Sequence, residues 1–158
     1  MGLEGKLERE IEIKAEANRF YQVFRKEMHL LPTVCSQHLK SVELHHGDWD
    51  TVGSVKHWNY HLDGEALNLK EKVEEVDDEK RTIIFKVVEG DLLRHHYKHL
   101  KVTIQVDPNK EGEKEKEGCV VKLTIDYEKW NDEVARPEAY MDLAVKVIAA
   151  TEAHLLNE

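Results

Sequence analysis

The sequence predicts an α+β fold: a seven-stranded, curved antiparallel sheet wrapped around one long C-terminal helix, with two short helices between strands 1 and 2. Three observations carry this reading. Segment after segment alternates apolar and polar residues, the period of a strand with one wet face. The segments are separated by turn signals rather than by helical crossovers, which makes neighbouring strands antiparallel. The only long 3.6-residue period lies close to the C-terminus.

The elements follow in order. Lys6 to Ala15 places Leu7, Ile11 and Ile13 on one parity and Lys6, Glu8, Glu10, Glu12 and Lys14 on the other. Arg9 shares the apolar parity, so it either lines an interior or reaches back to water. Ala17 to Met28 carries Phe20, Val23, Phe24 and Met28 at helical spacing, and Pro32 ends that helix and opens a second short turn. Strands follow at Leu39–His45, Ser54–Leu62, Ala66–Val76, Arg81–Glu89, Leu93–Val106 and Cys119–Lys129. Asp63-Gly64 is a hairpin signal, and Pro108 to Gly118 is a charged connector read as a solvated hairpin tip. Pro137 opens the last helix as its first helical residue and Leu156 closes it. Tyr140, Leu143, Ala144, Val147, Ile148, Thr151 and Leu155 form its apolar stripe. No internal repeat or linker interrupts residues 1–158, so a single domain is expected.

Seven strands span roughly 30 Å at about 4.8 Å each, and a helix is only about 10–12 Å wide. One helix covers so wide an apolar face only if the sheet curls around it. Curling leaves an internal space, which side chains either fill or line. Inward parity selects Lys56, Trp58 and Tyr60 on the third strand, with Lys56 near the open end. It selects Phe85, Val87, Leu100, Val102 and Tyr127 on later strands. Helical periodicity adds Val23, Phe24, Met28, Tyr140, Leu143, Ala144, Val147 and Ile148. These sixteen residues are the candidate ligand-binding set. A Tyr hydroxyl and a Lys ammonium within an apolar wall would orient a ligand's polar head.

Charge and composition exclude several functions. Lys+Arg is 23 against 32 Asp+Glu, a net charge of −9, the wrong sign for nucleic acid or an anionic membrane. No apolar run is long enough to span a bilayer, and the first residues lack the apolar core of a signal peptide. Cys35 and Cys119 are the only cysteines and form no disulfide framework, which fits a reducing, cytoplasmic setting. His57 and His61, or His95 and His99, share a strand face but sit about 13 Å apart, too far to hold one metal ion. No metal or cofactor is therefore expected. Glu71 lies on the parity of Leu67, Leu69 and Val73. Buried there, it needs a partner such as Lys56 or Arg9. Lys56, Tyr60 and Glu71 are the only acid–base trio that can be assembled, and no nucleophile–base pair accompanies them.

Several short motifs also stand in order along the chain. They are the Gly47 to Gly53 loop, Gly53-Ser54-Val55, Trp58-Asn59-Tyr60, Asp63-Gly64, Val87-Val88-Glu89-Gly90-Asp91 and Asp126-Tyr127-Glu128-Lys129. With the element order, they resemble the major latex protein branch of the birch-pollen-allergen (pathogenesis-related class 10) superfamily across essentially the whole chain. The resemblance implies the helix-grip fold. It also implies a large cavity for hydrophobic or amphipathic plant lipids and secondary metabolites, and a link to defence or stress response. The alternative it implies is an enzyme of plant secondary metabolism, or a ribonuclease, on the same fold. Hormone receptors of the superfamily add a third possibility, an adaptor whose loops gate an unidentified protein partner. In the Gly47–Gly53 loop only two glycines remain, with Asp48 and Asp50 between them to repel an anion, so a structural loop beside the cavity mouth is expected rather than a phosphate cradle.

Overall fold

The computed structural model describes residues 2–111 and 114–158. Seven strands form one antiparallel sheet in the order β1-β7-β6-β5-β4-β3-β2. Their ranges are β1 Glu4–Ile13, β2 Leu39–His46, β3 Val55–Leu62, β4 Glu65–Asp77, β5 Thr82–Gly90, β6 Tyr97–Glu111 and β7 Lys114–Lys129. The two edge strands, β1 and β2, are adjacent in sequence. Helix α1 (Ala17–Lys26), a 3₁₀ turn (Met28–Leu30) and α2 (Leu31–Val34) join them. The long helix α4 (Glu138–Leu156) packs against the inner face.

Alternation sets the register. Leu7 and Ile13 of β1 are buried while their polar neighbours are exposed, and Leu7 pairs with Ile125 of β7. Arg9 resolves outward, its guanidinium donating to the Glu8 carbonyl. Asp63 and Gly64 both adopt positive φ, 50° and 80°, as the tight β3–β4 turn demands. The shared inward parity holds throughout: Val23, Phe24, Met28, Trp58, Tyr60, Phe85, Leu100, Tyr127, Leu143 and Val147 are all buried on one side of the sheet, with Val102 half-buried among them.

Four boundaries differ from the sequence reading. First, α1 stops at Lys26 because Glu27 leaves helical geometry (φ −118°, ψ 26°), which puts Met28 in the 3₁₀ turn. Second, Pro108 to Gly118 is not a free connector: β6 and β7 continue through it, with Pro108 opposite Cys119 and Lys110 opposite Glu115. A sequence of alternating lysines and glutamates is compatible with a strand ribbon as well as with a loop. Gly112 and Glu113 lie outside the described residues. Third, a five-residue helix, α3 (Asp91–His95), separates β5 from β6 where a strand start was expected at Leu93. It buries only Leu92, too little to leave a periodicity. Gly90 precedes it at φ 133°, where a Cβ would meet the Asn68 carbonyl and Leu69 Cα at 2.5 and 2.6 Å. Fourth, Pro137 is the cap and not the first turn of α4; its carbonyl accepts from Met141 N at 3.0 Å.

Candidate functional site

A cavity of about 120 Å³ lies between α4 and the concave face of the sheet. At about 10–15 Å³ per water-sized sphere centre, that is room for roughly ten such groups. Every layer contributes to its wall. The helical side supplies Phe24, Met28, Leu31, Tyr140, Leu143, Ala144, Val147 and Ile148. The strands supply Leu39, Trp58, Tyr60, Leu69, Glu71, Phe85, Val102, Ile104 and Leu123. The walls are apolar because each element turns its apolar parity inward. On the α4 side Ala144 is the smallest side chain of the wall, where a larger one would take up space.

Of the candidate ligand-binding residues, eleven stand on this wall: Phe24, Met28, Trp58, Tyr60, Phe85, Val102, Tyr140, Leu143, Ala144, Val147 and Ile148. Val23, Lys56, Val87, Leu100 and Tyr127 are inside the protein but off the wall. Val23, Val87 and Leu100 are buried in the hydrophobic core cluster. Tyr127 stacks edge-on against Tyr97 at 6.1 Å, covers Gly5 and accepts from Arg136 Nε at 3.3 Å. The wall also includes Leu31, Leu39, Leu69, Ile104 and Leu123, which are absent from the candidate ligand-binding set; Leu69, Ile104 and Leu123 lie on apolar parities of their strands.

Lys56 departs from the expectation of an open end. It is 1% exposed, and its Nζ donates to Ser54 Oγ at 3.2 Å and stands 5.9 Å from the Trp49 ring. The Gly47–Gly53 loop makes this burial possible. Trp49 caps the ammonium from outside, and the Asp48 amide donates to Thr51 Oγ1 at 3.0 Å. The loop's end is pinned to β4 by Gly53 N donating to the Val73 carbonyl at 2.7 Å. Arg25 Nη1 ties α1 to the same loop through the Asp50 carbonyl. Burial lowers the Lys56 pKa; Glu71 opposes this by favouring the charged form, Arg25 adds to it, and Asp50 opposes it.

Glu71 stands directly opposite Lys56 in the β3–β4 register and is 8% exposed. Its Oε1 accepts from the Trp58 indole at 2.9 Å. Burial drives its pKa up to about 7, while Lys56 and the indole hold it from rising further. Glu71 keeps the inward parity of Leu69 and Val73; the register shift at this point takes its extra residue, Val88, on β5, so it does not reverse β4. Tyr60 is 2% exposed and its hydroxyl has no hydrogen-bond partner among the described residues. Burial, then Glu71 and Tyr60, raise the Tyr140 pKa well above the ordinary phenol value. The chamber is thus apolar but holds one carboxyl and two phenols. Among the described residues no group of three His, Cys, Asp or Glu side chains is arranged to hold a metal ion. No helix among the described residues is long and apolar enough to cross a membrane.

A curved sheet gripping one long helix across an apolar chamber defines a cavity-bearing helix-grip domain. The sequence profile of the pathogenesis-related protein Bet v 1 family matches residues 2–158, and the chain belongs to that family. Within it the relatives are of the major latex protein branch. MLP-like protein 31 of Arabidopsis thaliana is 46% identical over 154 residues, covering 98% of this chain and 87% of that protein. The crystal structure of ginseng major latex-like protein 151 from Panax ginseng superposes with a TM-score of 0.90 at 35% identity, over 98% of this chain and 99% of the other. Norcoclaurine synthase from Thalictrum flavum shares the fold, with a TM-score of 0.80 at 21% identity over 98% and 88% of the two chains.

Proposed function

We propose that this protein binds and carries hydrophobic or amphipathic small molecules, plant lipids or secondary metabolites, in the chamber beneath α4. The observation that supports it is unfilled space of about 120 Å³ walled mainly by apolar side chains from every layer of the fold. Apolar surface buried there would contribute about 25 cal/mol per Å². The wall offers a few polar groups to orient a ligand and no nucleophile paired with a base, so the reading is of a non-enzymatic carrier. The same reading includes a defence or stress role, in line with the family resemblance, and a cytoplasmic site, in line with two buried free thiols. Native mass spectrometry of the protein purified from its own tissue, with extraction of the bound molecule, tests this. A co-purifying apolar molecule supports the reading. Ligand-free protein that also fails to bind any fluorescent apolar probe rejects it.

A second reading, catalysis in plant secondary metabolism, draws on one observation: Glu71 stands on the cavity wall with Tyr60 and Tyr140 in the same chamber, where burial pushes its pKa up to about 7. It would require turnover that Glu71→Gln abolishes while the chamber still takes up an apolar probe. Ribonuclease action is disfavoured by the net charge of −9. An RNA-cleaving rate that survives extensive purification and disappears in Lys56→Ala would reverse that.

A further inference from the structure

The placement of the two buried charges is unequal. Lys56 and Glu71 oppose one another across β3 and β4, yet only Glu71 reaches the cavity wall. Lys56 turns its ammonium to Ser54 and the Trp49 ring. The chamber therefore meets a carboxyl group, with its counter-charge behind the wall. Trp58 engages one carboxyl oxygen, the only hydrogen bond to that group within the described residues. The groups facing Glu71 are Lys56 and Trp58 from β3, the apolar Val87 from β5 and the Tyr140 phenol from α4. Arg25 of α1 and Asp50 of the loop act on it only through Lys56. Tyr60 adds a buried hydroxyl with no partner among the described residues.

Resting on the carrier reading above, we propose that Glu71 reads the ligand's head: it admits an apolar molecule that ends in an uncharged hydroxyl and rejects one that ends in a carboxylate. A hydroxyl both donates and accepts, so it can give a hydrogen bond to the ionised carboxylate or take one from the protonated acid. It can also accept from a chamber phenol. A carboxylate only accepts, and it would be desolvated beside a second carboxylate. It enters when Glu71 takes up a proton, so its affinity falls as pH rises through the range in which Glu71 ionises. Hydroxyl affinity stays nearly level.

The test is competition of 1-decanol and decanoate against a neutral fluorescent probe, N-phenyl-1-naphthylamine, from about pH 6 to 8.5. In the wild type the preference for decanol over decanoate is expected to widen roughly tenfold across that range, the factor given by a like-charge repulsion that makes one carboxyl tenfold harder to ionise. In Glu71→Gln, which keeps an oxygen for the Trp58 indole, the preference should shrink by a similar factor and lose its pH dependence. Tyr60→Phe should weaken decanol several-fold and leave the pH dependence of decanoate intact. If Glu71→Gln does not fold, the wild-type pH series decides alone. A decanol-to-decanoate ratio that is flat with pH overturns the proposal, and the carrier reading stands if both still displace the probe. Failure of the neutral probe to bind overturns the carrier reading and this one with it.

Discussion

Lys56 and Glu71 illustrate how two side chains that are costly to bury become tolerable as neighbours. Each keeps one neutral hydrogen-bond partner, Ser54 for the ammonium and Trp58 for the carboxyl, and each moderates the other's loss of water. Because folding raises the pKa of Glu71 from 4.5 to about 7, the folded state holds its proton more tightly than the unfolded chain. Its contribution to stability is therefore full below about pH 4.5 and is lost as pH rises to about 7. Glu71→Gln mimics the protonated acid. Relative to wild type it should gain stability between about pH 5 and 8, by up to about 3 kcal/mol, since each tenfold difference in proton affinity between the two states is worth about 1.4 kcal/mol. Urea melts of both proteins at several pH values check this, and a difference that does not grow with pH would contradict it. The Tyr60 hydroxyl has no partner among the described residues but faces a chamber with room for water, so Tyr60→Phe should leave the melting temperature of the empty protein within about 2–4 °C of wild type, as thermal melts of the two proteins check. At this scale the sequence was partly readable. Parity shows which way a side chain points, but not whether the space beyond it is filled. Leu100 and Val102 share a face of β6; one is fully packed and the other lines the cavity. The burial of Lys56 depends on Trp49, seven residues earlier in a loop without periodicity.

Among the elements, α4 and the Gly90 junction carry the strongest expectations. Ala144 leaves room on the helix where the cavity lies. Ala144→Trp should therefore reduce the capacity for a fluorescent apolar probe more than it reduces stability. In a filled core the same change would overpack and cost about 1–3 kcal/mol. Melting temperature and probe binding measured on one preparation separate the two outcomes, and a large loss of stability with unchanged binding would rule out a pocket at this helix. Gly90 is the converse case, since its φ of 133° and the nearby Asn68 and Leu69 backbone leave no place for a Cβ. Gly90→Ala should cost about 3 kcal/mol or more, visible as a lowered denaturation midpoint. All seven strands and the long helix were legible because each repeats its period over several residues. The short helix α3 was not. It is held by tertiary contacts: Asp91 accepts from Asn68 N at 2.9 Å, and the Trp130 indole donates to the Leu93 carbonyl at 2.8 Å. The length of the β6–β7 hairpin was also hidden, because a charged ribbon and a charged loop share a composition.

For the molecule as a whole, the cavity links occupancy to stability. A ligand that binds only the folded state adds about 2.7 kcal/mol at a hundredfold excess over its dissociation constant. Thermal melts should then rise by about 5–10 °C with a true ligand and stay fixed with a molecule the chamber rejects. The chamber also has a volume, and that has a mechanical meaning. Unfolding lets water into the space beneath α4, so the unfolded chain together with its solvent occupies less volume than the folded protein. Hydrostatic pressure is thus a selective denaturant here, acting on the void rather than on any bond. The empty protein should unfold at lower pressure than either the occupied protein or Ala144→Trp, even where their melting temperatures coincide. Trp58, set in the cavity wall, can report the transition by its fluorescence.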